Sequence, residues 1–194
     1  DNDAVAAVLG EYYFGAGKNS KRLLMVTLGT GIGVALLDNG KPFRTSDGQH
    51  PEAGHIPVSG NPTTCYCGLR GCWEMLASRT WLQQNLETLL PEHPFEKKDI
   101  NFYKEMAKER EDIASVFHRY GNYLGRGLVT LLTLYGPDLT ILSGSAAHYY
   151  PLFKEGLEES LTRADAYEIN MKIVPSELGD TAGALGAIVI PELS

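Results

Sequence analysis

All three cysteines of this chain, Cys65, Cys67 and Cys72, sit in one glycine-rich stretch, GHIPVSGNPTTCYCGLRGCWE, together with His55. The spacing His-x9-Cys-x-Cys-x4-Cys offers one imidazole and three thiolates, the donor set of a closed tetrahedral zinc site. Gly60, Gly68 and Gly71 let the backbone turn sharply enough for the four to converge. The competing reading is three cysteines that merely pack, or one disulfide plus a free thiol; the metal-like spacing favours the zinc loop. With all four positions filled by protein, such a zinc has no open site for water and would hold the loop in shape. Glu52 in PEAGH and Glu74 after Cys72-Trp73 bracket the loop, so its closure would gather two carboxylates. Carboxylates beside a rigid turn suit a polyhydroxy ligand, because each oxygen accepts from a hydroxyl. Glu74 also suits the first turn of a following helix, where negative charge is favourable.

Composition narrows the partners. The chain has 194 residues and a formal net charge of -7. It has no apolar run near the roughly 18 residues of a membrane span. It lacks the clustered Lys and Arg that contact with nucleic acid or an anionic membrane requires. Three cysteines cannot all pair among themselves and no signal-like amino terminus is present, which points to reduced cytoplasm. The chain opens Asp1-Asn2-Asp3 without an initiator Met, so it is expected to be a piece of a longer protein.

Along the chain the pattern alternates between helix and strand. Residues 3–14 read as a helix, 22–28 as a strand, and VALLD (34–38) as a second strand closed by an Asn39-Gly40 hairpin turn. Gly29-Thr30-Gly31-Ile32-Gly33 therefore lies between two paired strands. That is neither the strand-turn-helix setting of a dinucleotide fingerprint nor a P-loop. Such a turn can still present amides and the Thr30 hydroxyl to phosphate oxygens, although a plain hairpin explains it equally. Residues 74–90 and roughly 102–134 read as helices, the second broken or bent near Gly121, Gly125 and Gly127. Gly136-Pro137 ends it, 139–144 is a strand, PLFKEGLEESL a helix, INMKIVPS a strand, and DTAGALGAIVI a closing helix. Pro91 to Asp99 is the one candidate flexible insertion. Residues 1–194 are expected to form a single α/β domain.

The series DNDAVAAVLGE, LGTGIGVALLDNG, PEAGHI, CYCGLRGCWE, YGPDLTILSG and GDTAGALGA resembles the carboxy-terminal lobe of the ROK family, which groups bacterial sugar kinases with sugar-responsive repressors. The resemblance implies the actin-like, RNase H-like ATPase fold, with the amino-terminal lobe and its first phosphate turn lying outside this sequence. It implies that Asp3 is the general base for a sugar hydroxyl attacking the γ-phosphate of ATP, which is used with Mg, and that Asn2 binds the sugar. By itself, Asp3 would read as a helix N-cap. Glu52, His55 and Glu74 would bind sugar hydroxyls, with one His55 ring nitrogen on zinc and the other on ligand. Zinc would be held by His55, Cys65, Cys67 and Cys72. Gly29, Thr30, Gly31 and Gly33 would contact phosphate, and Gly144 would flank the adenosine. Ser143-Gly144-Ser145 departs from the glycine run frequent there, and Gln49-His50-Pro51 departs from the usual small-residue approach to Glu52.

The implied activity is that of an ATP-dependent hexose or N-acetylhexosamine kinase; the alternative is the sugar-sensing domain of a ROK repressor. The resemblance also implies a homodimer, and the composition implies no membrane attachment and no direct nucleic-acid contact by this lobe.

Overall fold

The central strand, β1 (Arg22–Leu28), is apolar on both faces, and both are covered. In a computed structural model describing residues 3–60, 63–95, 99–162 and 172–189, Leu23 and Met25 join one core while Leu24, Val26 and Leu28 join another. This is the period-two alternation of a strand, with the consecutive apolar residues 23–26 serving both faces because neither meets water. Antiparallel to β1 runs β2 (Ile32–Asp38), with Thr27 opposite Gly33 and Leu28 opposite Ile32. Asn39 and Gly40, both at positive φ (51° and 77°), then turn the chain into β3 (Lys41–Pro42), the primed hairpin geometry their identities favour. On the other side of β1, β4 (Leu139–Ser143) and β5 (Ile173–Pro175) pair in parallel, giving the five-stranded order β3-β2-β1-β4-β5.

One face of the sheet carries α1 (Asp3–Phe14) and α7 (Ala182–Val189). These helices touch backbone to backbone: a Cβ on Gly10 would collide with the Ala182 carbonyl, and one on Gly186 with that of Ala6. Buried at 0% exposure, the Glu11 side chain accepts from Ala16 N (2.8 Å), Ser176 Oγ (2.5 Å) and Leu178 N (2.9 Å). It ties the end of α1 to the segment that follows β5, and its donors offset the cost of burying a carboxylate.

The other face carries α2 (Glu74–Ala77), α3 (Arg79–Leu89), α4 (Ile100–Glu109), α5 (Glu111–Tyr135) and α6 (Tyr150–Thr162). The expected 74–90 helix is broken at Ser78, whose extended backbone (ψ 164°) lets its side chain cap Trp81 N at 3.3 Å. The expected 102–134 helix breaks at Arg110 rather than at its glycines. Gly121 and Gly125 instead let α6 approach α5, and Gly127 lies under the Trp73 ring, so these glycines serve packing within an unbroken α5. Gly136, at φ 51°, caps α5 in the left-handed conformation expected of Gly136-Pro137. The 91–99 insertion is anchored by Phe95, whose ring lies 5.8 Å from Tyr103 and 5.5 Å from Tyr149; residues 96–98 fall outside the described residues. The start of INMKIVPS and the last residue of DTAGALGAIVI likewise fall outside them.

Candidate functional site

The histidine–cysteine loop folds as a small hairpin. Pro57 bridges Cys72, Val58 N donates to Gly71 O (2.9 Å) and Trp73 N to Ile56 O (2.9 Å). Further out, Thr64 bridges Arg70, with Cys65 N on Leu69 O at 2.8 Å. Gly71 (φ 71°) passes so close to the Ser59 carbonyl that no Cβ fits there. Trp73 drives the base of the hairpin into the core: it is fully buried, and its indole N–H donates to Tyr123 O on α5 at 3.0 Å. His55 ends a short 3-10 turn, Ala53–His55, held against β2 because Gly54 has no Cβ to strike the Ile32 carbonyl.

These anchors bring the donor atoms of His55, Cys65, Cys67 and Cys72 within 4.8 Å of one another. Cys65 Sγ lies 3.6 Å from His55 Nδ1, and Cys67 Sγ 3.6 Å from Cys72 Sγ. This four-donor cluster can hold a metal ion. Burial pushes the Cys72 thiol up to about 12, with Cys67 beside it adding to the rise, and burial also raises Cys65. Cys67, exposed at the tip, moves the other way because the Leu69 backbone supports its thiolate.

The carboxylates close on the same imidazole. Glu74 Oε1 is 3.4 Å from His55 Nδ1 and 3.5 Å from Cys65 Sγ; Glu52 Oε2 is 4.0 Å from His55 Nε2. Glu52 also meets His50 Nε2 at 3.1 Å and is largely exposed, whereas Glu74 is 8% exposed. Beyond Glu74 opens a cavity of about 370 Å³, lined by Thr30, Gly31, Tyr66, Glu74, Ser78 and Thr80 among others. Of the sequence-predicted residues, Glu74 from the carboxylate pair and Thr30 and Gly31 from the glycine turn line this cavity.

The glycine turn is explained partly by close packing. A Cβ on Gly31 would stand 2.6 Å from Glu74 Oε2, and one on Gly33 would stand 3.3 Å from Ala4 Cβ, beside Asp3. Arg79 N donates to Gly29 O and Thr80 Oγ1 to Thr30 O, each at 2.8 Å, so the start of α3 clamps the turn. Gly144 (φ 83°) follows β4 directly and lies against Leu28, beside Gly29. Both are at the carboxyl ends of the parallel strands β1 and β4, the edge where open α/β sheets place ligands. Asp3 is exposed at the first residue of α1; Asn2 lies outside the described residues.

Sequence reading missed the clamp by Arg79 and Thr80, the Trp73–Gly127 anchor and Tyr66. Only the bulky aromatic in CWE and the closely spaced glycines of α5 signalled any of these, and neither identifies a partner.

The mixed five-stranded α/β sheet, with helices on both faces, has the actin-like ATPase fold of ROK sugar kinases. The chain belongs to the ROK family, which it matches over residues 1–192. It is 32% identical to the xylose repressor of Bacillus subtilis over 199 residues, 96% of this chain and 48% of that protein. It is 30% identical to the glucokinase of Thermotoga maritima over 204 residues, 98% of this chain and 64% of that one. A ROK family glucokinase from Streptomyces griseus, solved in complex with glucose and AMPPNP, superimposes with a TM-score of 0.81 at 27% identity, covering 98% of this chain and 66% of that one. The chain therefore spans roughly half to two thirds of the length of these relatives. Among the described residues no helix is long and apolar enough to cross a membrane.

Proposed function

We propose that residues 1–194 form the sugar-binding, catalytic-base lobe of an ATP-dependent sugar kinase. The observation that carries this reading is the convergence of Glu52 and Glu74 on His55 beside a cavity that continues to Thr30 and Gly31. Glu52, His55 and Glu74 bind sugar hydroxyls, Gly29, Thr30, Gly31 and Gly33 line the phosphate turn, and Gly144 borders the adenosine. The S. griseus glucokinase, solved with glucose and AMPPNP, supports a sugar site and a nucleotide site on this fold.

The donor set fits structural zinc. Zn–S bonds of about 2.3 Å and Zn–N bonds of about 2.0 Å in a tetrahedron place two sulfurs about 3.8 Å apart and a sulfur and a nitrogen about 3.5 Å apart, close to the 3.6 Å of the Cys67–Cys72 and Cys65–His55 pairs. His55, Cys65, Cys67 and Cys72 would hold it, and its contribution is to fix the loop and the His55 ring. His55 Nδ1 faces the thiols, which leaves Nε2 for a ligand.

Asp3 supplies the chemistry of transfer. Its carboxylate takes the proton from the sugar hydroxyl as that oxygen bonds to the γ-phosphorus of ATP, ADP leaves with its magnesium, and Asn2 holds the sugar in register. A positioned general base contributes about 10²- to 10⁴-fold. In full-length protein Asp3→Asn should therefore lose turnover by that order while calorimetric sugar affinity changes much less. A loss of less than about tenfold would remove Asp3 from this role.

The second reading is a sugar-sensing domain of a ROK repressor, favoured by the 32% identity to the B. subtilis xylose repressor. Sugar then binds the same residues without turnover, and Asp3→Asn weakens sugar-dependent release of DNA without abolishing it. Both readings carry a homodimer in reduced cytoplasm, with no direct contact between this lobe and nucleic acid.

A further inference from the structure

Tyr66 stands between two of the clustered cysteines, and neither reading assigns it a role. Its hydroxyl lies 3.1 Å from His55 Nε2, the ring nitrogen that faces away from the thiols. Its ring meets the imidazole edge-on, with centroids 5.1 Å apart at 86°. It lines the same 370 Å³ cavity as Glu74, Thr30 and Gly31. Yet 84% of the residue is exposed, so little packing holds it there.

We infer that the Tyr66 hydroxyl is a built-in occupant of the ligand-hydroxyl position on His55, which a sugar must displace to bind. The inference rests on the sugar-site reading above. The chemistry of the two hydroxyls is the same. When Nδ1 binds the metal or accepts from a thiol, Nε2 carries the ring proton and donates, and its partner is then a hydroxyl oxygen that accepts. That hydroxyl keeps its own proton, which it can give to a carboxylate, and Glu52 and Glu74 flank the imidazole. A sugar hydroxyl arriving at Nε2 needs the same acceptor and donor geometry, and two oxygens cannot share the one ring proton at full strength. Tyr66 therefore raises the threshold for ligands. A sugar that offers adjacent hydroxyls to His55 and a glutamate replaces both bonds, whereas one that offers a single hydroxyl replaces only one.

Tyr66→Phe keeps the ring and removes only the competing oxygen. Calorimetric titration of full-length wild type and Tyr66→Phe with D-glucose, D-xylose and N-acetylglucosamine should show about two- to tenfold tighter binding in the variant, the range of one hydrogen bond. Zinc content should stay equal, and the nitrogen NMR resonances of the His55 ring should move in the sugar-free variant. Equal or weaker sugar binding by the variant, with binding by both proteins, overturns displacement and leaves the sugar site standing. An unmoved His55 ring resonance overturns it as well, because the phenol is then not on Nε2. No heat from either protein with any of the three sugars contradicts the sugar site itself, and the inference falls with it.

Discussion

Glu74 and Gly31 fit each other as one unit: a Cβ on residue 31 would lie 2.6 Å from Glu74 Oε2, while Oε1 of the same carboxylate reaches His55 Nδ1 at 3.4 Å. The glycine of the turn and the glutamate after the hairpin thus hold one wall of the cavity between them. Gly31→Ala should push the Glu74 side chain from this position at an overpacking cost of about 1–3 kcal/mol. Sugar affinity should fall by about tenfold or more, each 1.4 kcal/mol being a factor of ten. Metal content should hold, because none of the four clustered ligands touches residue 31. Unchanged sugar affinity in this variant would show that the position of Glu74 does not matter to binding.

Thr80 tests the clamp. Its hydroxyl donates to Thr30 O at 2.8 Å from the first turn of α3, so Thr80→Val removes one hydrogen bond worth about 1 kcal/mol. The expected result is faster amide exchange at Gly29 to Gly31 and, on the kinase reading, a raised KM for ATP with sugar affinity nearly unchanged. Exchange equal to wild type would mean that Arg79 N on Gly29 O suffices to hold the turn.

The thiols set an alkaline limit on the metal-free protein. Cys72 rises from the ordinary 9.0 to about 12 because it is buried. Between these values the folded chain keeps a proton that the unfolded chain has lost. The contribution is therefore fully present below 9.0 and is lost as pH climbs toward about 12. Metal-free protein should melt at lower temperature as pH rises from about 8 to about 11, and metal-loaded protein, whose thiols have already given up their protons, should not. In the loaded form the dependence reverses: protons compete for the thiolates, so metal affinity falls as pH drops. Parallel melting curves for the two forms across this range would contradict a thiolate metal cage.

Much of the architecture was legible because its signals are local. Asp3–Phe14 and Arg22–Leu28 are bounded as their periodicity demands, and Asn39-Gly40 turns the chain as those two residues prefer. The cysteine spacing led directly to a cluster of side chains. What escaped reading depends on contacts distant in sequence. The break assigned near Gly121, Gly125 and Gly127 is absent, and those glycines admit α6 and Trp73, partners that no helical window contains. The break lies instead at Arg110, where no glycine or proline marks it. The carboxylate of Glu11, which no local pattern singles out, is bonded to Ser176 and Leu178 far along the chain. The Gly29–Gly33 turn was legible as a hairpin, but its spacing answers to Glu74 and Ala4 as much as to any phosphate.

The central claim is that the metal cage sets the sugar site through His55, Glu52 and Glu74. Its most direct test is calorimetric titration of the full-length protein with D-glucose, D-xylose and N-acetylglucosamine before metal removal, after chelation, and after return of one equivalent of zinc. The account predicts binding of at least one sugar by the loaded protein, its loss on chelation, and its recovery with zinc. Sugar affinity that is the same in all three states would contradict it.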